Sequence, residues 1–105
     1  MTIDLEQNSL KMVKDILQKN LDSNVKVYVF GSRVTDKAGK YSDLDIAIDA
    51  GCPLSIRSLS SLRGDFEYSD LDIRVDIVDL NGISDAFKNV IGQTLIPLAF
   101  QGNAD

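Results

Sequence analysis

Two short motifs carry the chemistry of this chain: Gly31-Ser32-Arg33 and, with ten residues between Ser32 and Asp43, Asp43-Leu44-Asp45. The first closes an apolar run at residues 25–30, and a second apolar run opens directly on the paired aspartates. A tight turn can aim backbone N–H groups at phosphate oxygens, and carboxylates two residues apart on a strand point the same way. Hard carboxylate oxygens suit Mg²⁺ or Mn²⁺, the ions that neutralise a triphosphate. Gly31 lets the backbone turn sharply and approach a ligand. Ser32 offers its hydroxyl and N–H at the start of a helical turn. Alone, Gly-Ser reads as an ordinary turn and Asp-x-Asp as a solvated strand edge. Together at this spacing, both at strand ends, they argue for a nucleoside triphosphate held by the turn and a divalent cation held by Asp43 and Asp45.

Phosphoryl transfer also calls for a third carboxylate, because an attacking hydroxyl needs a proton acceptor and a second metal needs a ligand. The candidates lie within residues 70–79. Asp70 and Asp72 precede a strand and read as solvated loop residues. Asp76 sits mid-strand between Val75 and Ile77, where a carboxylate is costly unless a cation or hydrogen bonds compensate it. Asp79 falls on the opposite side by the two-residue period. Asp76 is therefore the expected third ligand.

The elements that must position these residues follow from periodicity. Leu10, Val13, Leu17 and Leu21, with Ile16, recur at helical spacing and predict a helix over residues 4–20. Residues 25–30 are β-branched and aromatic and predict a first strand. A helical turn is expected over 33–38, stopped by Gly39. Leu44, Ile46 and Ile48 alternate with Asp43, Asp45, Ala47 and Asp49, as in a second strand with one buried face. Ser55 can cap a helix to about residue 66 that buries Ile56, Leu59 and Leu62. A third strand is expected over 73–80, a turn at Asn81-Gly82, and a last helix from the Ser84 cap to about residue 90. Residues 94–100 are apolar, suiting a short strand or an interface segment. The order α-β-β-α-β-α makes an α/β (α+β) domain, a small mixed sheet with helices packed on it, and a helix between strands calls for at least one parallel pair.

Bulk properties bound the rest. The chain has 105 residues, 44% apolar and 26% charged, which suits one soluble domain spanning 1–105, with a core at about 10–92 and a tail at 93–105. Cys52 is the single cysteine, expected to be partly buried, and histidine is absent, so disulfides and the usual zinc sites are out. Residues 1–42 carry a balance of +2 and residues 43–105 one of −7. That acidity disfavours a long nucleic acid and would repel a triphosphate unless a divalent cation intervened. With neither signal-peptide blocks nor a membrane-spanning run, a cytoplasmic protein is expected.

Phe30-Gly31-Ser32-Arg33, Tyr41-Ser42-Asp43-Leu44-Asp45-Ile46-Ala47-Ile48 and Asp76-Ile77-Val78-Asp79-Leu80-Asn81 together resemble the minimal nucleotidyltransferases of the polymerase-β superfamily, over about residues 10–92. The resemblance implies a mixed α/β fold, Gly31, Ser32 and Arg33 as nucleotide-binding residues, with Gly31 and Ser32 gripping the NTP and Arg33 matching the family's third letter, and Asp43, Asp45 and Asp76 as the Mg²⁺-binding catalytic triad. Val34-Thr35-Asp36 departs from the small and basic residues usual there. The resemblance further implies a small all-helical partner, either a substrate-binding subunit or a HEPN-type toxin. In the toxin–antitoxin version, AMP is transferred from ATP to that partner's hydroxyl. Larger relatives carry an acceptor-binding helical domain for which this chain has no room, and Leu95, Ile96, Leu98 and Phe100 offer either a docking strip or packing on the chain's own sheet. The alternatives are transfer to a small molecule such as an antibiotic, and a non-catalytic antitoxin or regulatory subunit that retains the triad for binding.

Overall fold

The computed structural model describes residues 3, 5–34 and 43–100, with the backbone alone at Ser32. Helix α1 (Gln7–Asn20) turns Val13 and Leu17 fully inward. It starts three residues later than the periodicity suggests, because the preceding chain is tied into a tight turn by the Leu5 N–H donating to the Ile3 carbonyl (3.1 Å). Residue 4 lies outside the described residues, as do residues 35–42, so only Arg33 and Val34 of the expected turn at 33–38 can be placed. Strand β1 (Lys26–Phe30) leads into a single 3₁₀ turn, Gly31–Val34.

Strand β2 (Leu44–Asp49) runs antiparallel to β1, with Phe30 opposite Asp45 and Lys26 opposite Asp49. Leu44, Ile46 and Ile48 are completely buried, and so is Ala47, so the opposite face is also covered along part of its length. Helix α2 (Ile56–Glu67) is capped by the Ser55 hydroxyl, which accepts from the Ser58 N–H (3.0 Å). Its packed stripe is Leu59, Leu62 and Phe66, at helical spacing. Ile56, expected in the core, is instead 85% exposed, because it comes before the turn of the helix that reaches the sheet. Cys52, expected to be partly buried, is exposed in the Gly51-Cys52-Pro53 turn.

Strand β3 (Val75–Asp79) pairs with β2 in parallel, the crossover being made by α2. It begins two residues after the expected start. Helix α3 (Asp85–Gly92) follows, capped by the Ser84 hydroxyl accepting from Phe87 N–H (3.2 Å). A two-residue strand β4 (Ile96–Pro97) then lies antiparallel to β1, giving the sheet order β3-β2-β1-β4.

The tail thus covers the free edge of β1, which would otherwise leave unpaired backbone groups. The Leu98 N–H donates to the Val27 carbonyl (2.8 Å), and Leu98 and Phe100 are 6% and 5% exposed within the core. The docking-strip reading is overturned for these two residues, since their side chains are already spent on the chain's own fold.

Helices α1 and α2 are joined at one end by polar contacts. Asn20 Nδ2 donates to Asp65 Oδ2 (2.8 Å), Ser61 Oγ to Asn20 Oδ1 (2.9 Å), and Lys19 lies 3.6 Å from the same carboxylate. The two helices therefore behave as one layer on the sheet, holding β2 and β3 in register from behind.

Candidate active site

The pieces of the site meet because strand order and register bring them together. Phe30 on β1, Asp45 on β2 and Asp76 on β3 occupy one row across three adjacent strands. Adjacent strands lie about 4.8 Å apart, so the row spans roughly 10 Å. Asp45 stands at its centre, and Gly31, immediately after Phe30, stands at one end.

Gly31 is a backbone requirement twice over. Its φ is +81°, a conformation L side chains rarely adopt, and a Cβ there would collide with the Asp45 carboxylate. The Gly-Ser turn and the Asp-x-Asp motif, widely separated in sequence, are therefore in direct contact. Ser32 lies on the 3₁₀ turn, while its side chain and the hydroxyl expected to contact phosphate lie outside the described residues. Arg33 is 6% exposed, so it stands under the turn with its side chain inward.

Asp43 is exposed, just ahead of β2, and Asp45 is half-buried. Burial first, then the negative charges of Asp76 and Asp43, hold the Asp45 carboxyl above its ordinary value. The three carboxylates thus share one electrostatic field, the repulsive arrangement that a divalent cation relieves. Among the described residues, however, no three acidic side chains already form a metal-ligating cluster. One reason is visible at Asp76: its Oδ1 is 3.2 Å from the Arg74 Nε, and this ion pair engages the third carboxylate. Arg74 was not singled out from the sequence, although an arginine two residues before an aspartate entering a strand shares its face.

Asp79 and Asp76 serve different ends of the fold. Asp79 Oδ2 accepts from the Leu54 N–H (2.7 Å) and its Oδ1 from the Asn81 N–H (3.0 Å), tying the entrance of α2 to the turn after β3. Asp49, at the far end of β2, accepts from Asn81 Nδ2 and from the Gly51 N–H, both at 3.0 Å. The Asn81 bond, followed by that of Gly51, lowers the Asp49 carboxyl below its ordinary value. Asp70 and Asp72 are exposed before β3, as expected.

Residues 11–97 match the polymerase beta nucleotidyltransferase family. The chain belongs to this family. It is 40% identical over 94 residues to the probable protein adenylyltransferase MntA of Haemophilus influenzae, covering 90% of this chain and 82% of that protein. Solved structures share its fold. A chain of a toxin–antitoxin complex with AMP-PNP superposes with a TM-score of 0.69 at 27% identity, covering 91% of this chain and 74% of that one. A chain from the complex of the tri-AMPylated Shewanella oneidensis HEPN toxin with MNT antitoxin gives 0.64 at 25% identity, covering 94% and 74%. The motifs that carry the family resemblance are the ones the fold brings into a single row. Among the described residues, no helix is long and apolar enough to cross a membrane.

Proposed function

We propose that this nucleotidyltransferase moves AMP from ATP to a hydroxyl of a small helical HEPN-type partner, and so acts as the antitoxin of a toxin–antitoxin pair. The observation that carries the reading is the contact of Gly31 with the Asp45 carboxylate, in the same row as Asp76. It sets the turn that this reading assigns to the phosphates directly against the Asp45 carboxylate. The relative from Haemophilus influenzae is named for protein adenylylation, and the structural relatives include an ATP-analogue complex and an AMPylated toxin. These names support ATP as the nucleotide and a protein as the acceptor.

In this reading the backbone of Gly31 and Ser32 binds the phosphates, and the Ser32 hydroxyl adds a donor. Arg33, buried beneath, supports the turn and brings positive charge under it. Asp43 and Asp45 hold Mg²⁺ or Mn²⁺, and Asp76 completes the set once it leaves Arg74. The bound cation supplies charge neutralisation at the phosphates. Asp76 also orients the acceptor hydroxyl and takes its proton. Most of the acceleration comes from positioning and neutralisation, since the transferred group needs little covalent help.

The test is calorimetric titration with ATP, with and without Mg²⁺, followed by incubation of the chain, labelled ATP and its helical partner. Binding that requires the cation, and a partner whose mass rises by AMP, are the expected results. Equal affinity in EDTA would remove the metal from the site. An Asp43→Asn/Asp45→Asn variant that neutralised the toxin as well as wild type would make the chain a binding subunit instead.

A further inference from the structure

The three aspartates share their face of the sheet with an arginine. In the parallel register of β2 and β3, Leu44 lies opposite Val75 and Asp45 opposite Asp76. The pairing reaches one step further back, because the Leu44 N–H donates to the Arg74 carbonyl (2.9 Å). Asp43 and Arg74 therefore stand across from each other at the strand starts, and by the two-residue period they share a face with Asp45 and Asp76. The four positions form a rectangle about 4.8 Å by about 6.6 Å, with carboxylates at three corners and a guanidinium at the fourth.

We propose that Arg74 is an exchangeable counter-ion: it competes with a divalent cation for Asp76 and, once displaced, binds a phosphate oxygen of ATP, so that cation and nucleotide favour each other's binding. The inference rests on the reading of Asp76 as a cation ligand, and adds a residue that couples the two ligands.

The pair has the geometry for contact and the exposure for exchange. Arg74 Nε lies 3.2 Å from Asp76 Oδ1, yet the Arg74 side chain is 75% exposed. An ion pair so open to water adds little to stability, so the fold does not depend on keeping it. It also leaves repulsion within the rectangle standing: burial, then the charges of Asp76 and Asp43, still hold the Asp45 carboxyl above its ordinary value. A dication carries twice the charge of a guanidinium and is coordinated by several oxygens at once, so it wins the competition for such a group. The released side chain stays close, because the Arg74 backbone is tied to β2 through its carbonyl. A phosphate is the anion that suits it there, since the planar fork of arginine can meet two phosphate oxygens together. The charges call for this exchange as well. Three carboxylates and a triphosphate exceed what one dication neutralises, and Arg74 brings positive charge to the place of the excess. By linkage, whatever factor the cation adds to nucleotide affinity, the nucleotide adds to cation affinity.

Calorimetric titration of each protein with Mn²⁺ alone, and with ATP in saturating Mg²⁺, tests the inference. Arg74→Ala is expected to bind Mn²⁺ roughly two- to fivefold more tightly, the range set by an exposed ion pair, and ATP roughly fivefold more weakly. Arg74→Lys should restore the Mn²⁺ value but only part of the ATP affinity, because the charge returns without the fork. Arg57→Ala removes the same charge from an exposed position near the far end of the sheet, just after Leu54, whose N–H is bonded to Asp79, and should match wild type. A double-mutant cycle separates competition for Asp76 from a general field effect. In an Asp76→Asn background, Arg74→Ala should leave Mn²⁺ affinity unchanged. The same Mn²⁺ gain in that background, no gain in Arg74→Ala itself, or unchanged ATP affinity would each overturn the inference. Asp76→Asn alone with wild-type Mn²⁺ affinity would instead overturn the reading of Asp76 as a cation ligand.

Discussion

The two glycines with positive φ separate backbone strain from the building of the site. Gly31 and Gly51 both sit at φ +81°, but a Cβ at Gly51 meets nothing, whereas at Gly31 it collides with the Asp45 carboxylate. Left-handed backbone costs an L residue about 1–2 kcal/mol, and the stiffer unfolded chain of an alanine variant returns about 0.4–1 kcal/mol. Gly51→Ala should therefore lose roughly 1 kcal/mol, or about 4–8 °C in Tm for a domain of this size. Gly31→Ala bears the same strain and must also push the Asp45 side chain from its rotamer, a further ~0.5–1.5 kcal/mol. Its Tm should fall by roughly twice as much, about 8–16 °C. In an Asp45→Ala background the collision is gone, so the Gly31→Ala penalty should shrink to that of Gly51→Ala, a coupling of about 1 kcal/mol. Urea unfolding of the single and double variants without nucleotide measures these terms, and labelled-AMP transfer at a temperature where all are folded measures the site. Of the two glycine variants, Gly31→Ala should lose transfer and Gly51→Ala should keep it, and every variant that carries Asp45→Ala should be inactive. Equal penalties at both glycines with zero coupling, or full transfer by Gly31→Ala, would refute the contact on which the site is built.

Asp76→Ala should abolish transfer. Asp79→Ala should retain transfer but lose about 1–3 kcal/mol in urea unfolding, because it leaves the Leu54 and Asn81 N–H groups without their carboxylate. Asp43→Asn/Asp45→Asn should be inactive yet melt higher than wild type in EDTA, since it removes repulsion from a half-buried carboxylate; a lower Tm would contradict the shared field. Because Asp45 is held above the ordinary carboxylate pKa, its charged form opposes folding, and that opposition should fade as pH falls through its raised pKa. Asp49 has the opposite sign: its stabilisation is present above 3.8, the ordinary value, and is lost as pH falls through its lowered pKa. Asn81→Ala should move the Asp49 pKa upward in an NMR titration, and an unchanged titration would remove the Asn81 bond as the main cause.

Much of this protein is legible in its sequence, because its strongest signals are local. The apolar stripe of α1, the β-branched run of β1, the alternation of Leu44, Ile46 and Ile48 and the serine caps at Ser55 and Ser84 each depend on neighbours within a turn or two, and each formed as expected. The separation of Asp76 from Asp79 was equally local, since a strand's two-residue period places them on different faces. Tertiary structure decided what depends on residues distant in the chain. Leu98 and Phe100 are indistinguishable by composition from a docking strip until the open edge of β1 claims them. Ile56 matches the helical pattern of α2, yet only its position before the packed turns leaves it in solvent. Above all, no local rule could place the Gly31 Cα against the Asp45 carboxylate, or Asp76 beside Asp45. Those contacts exist because β1, β2 and β3 are adjacent in one register, and register is fixed by the burial of whole strand faces against α1 and α2 rather than by any single residue.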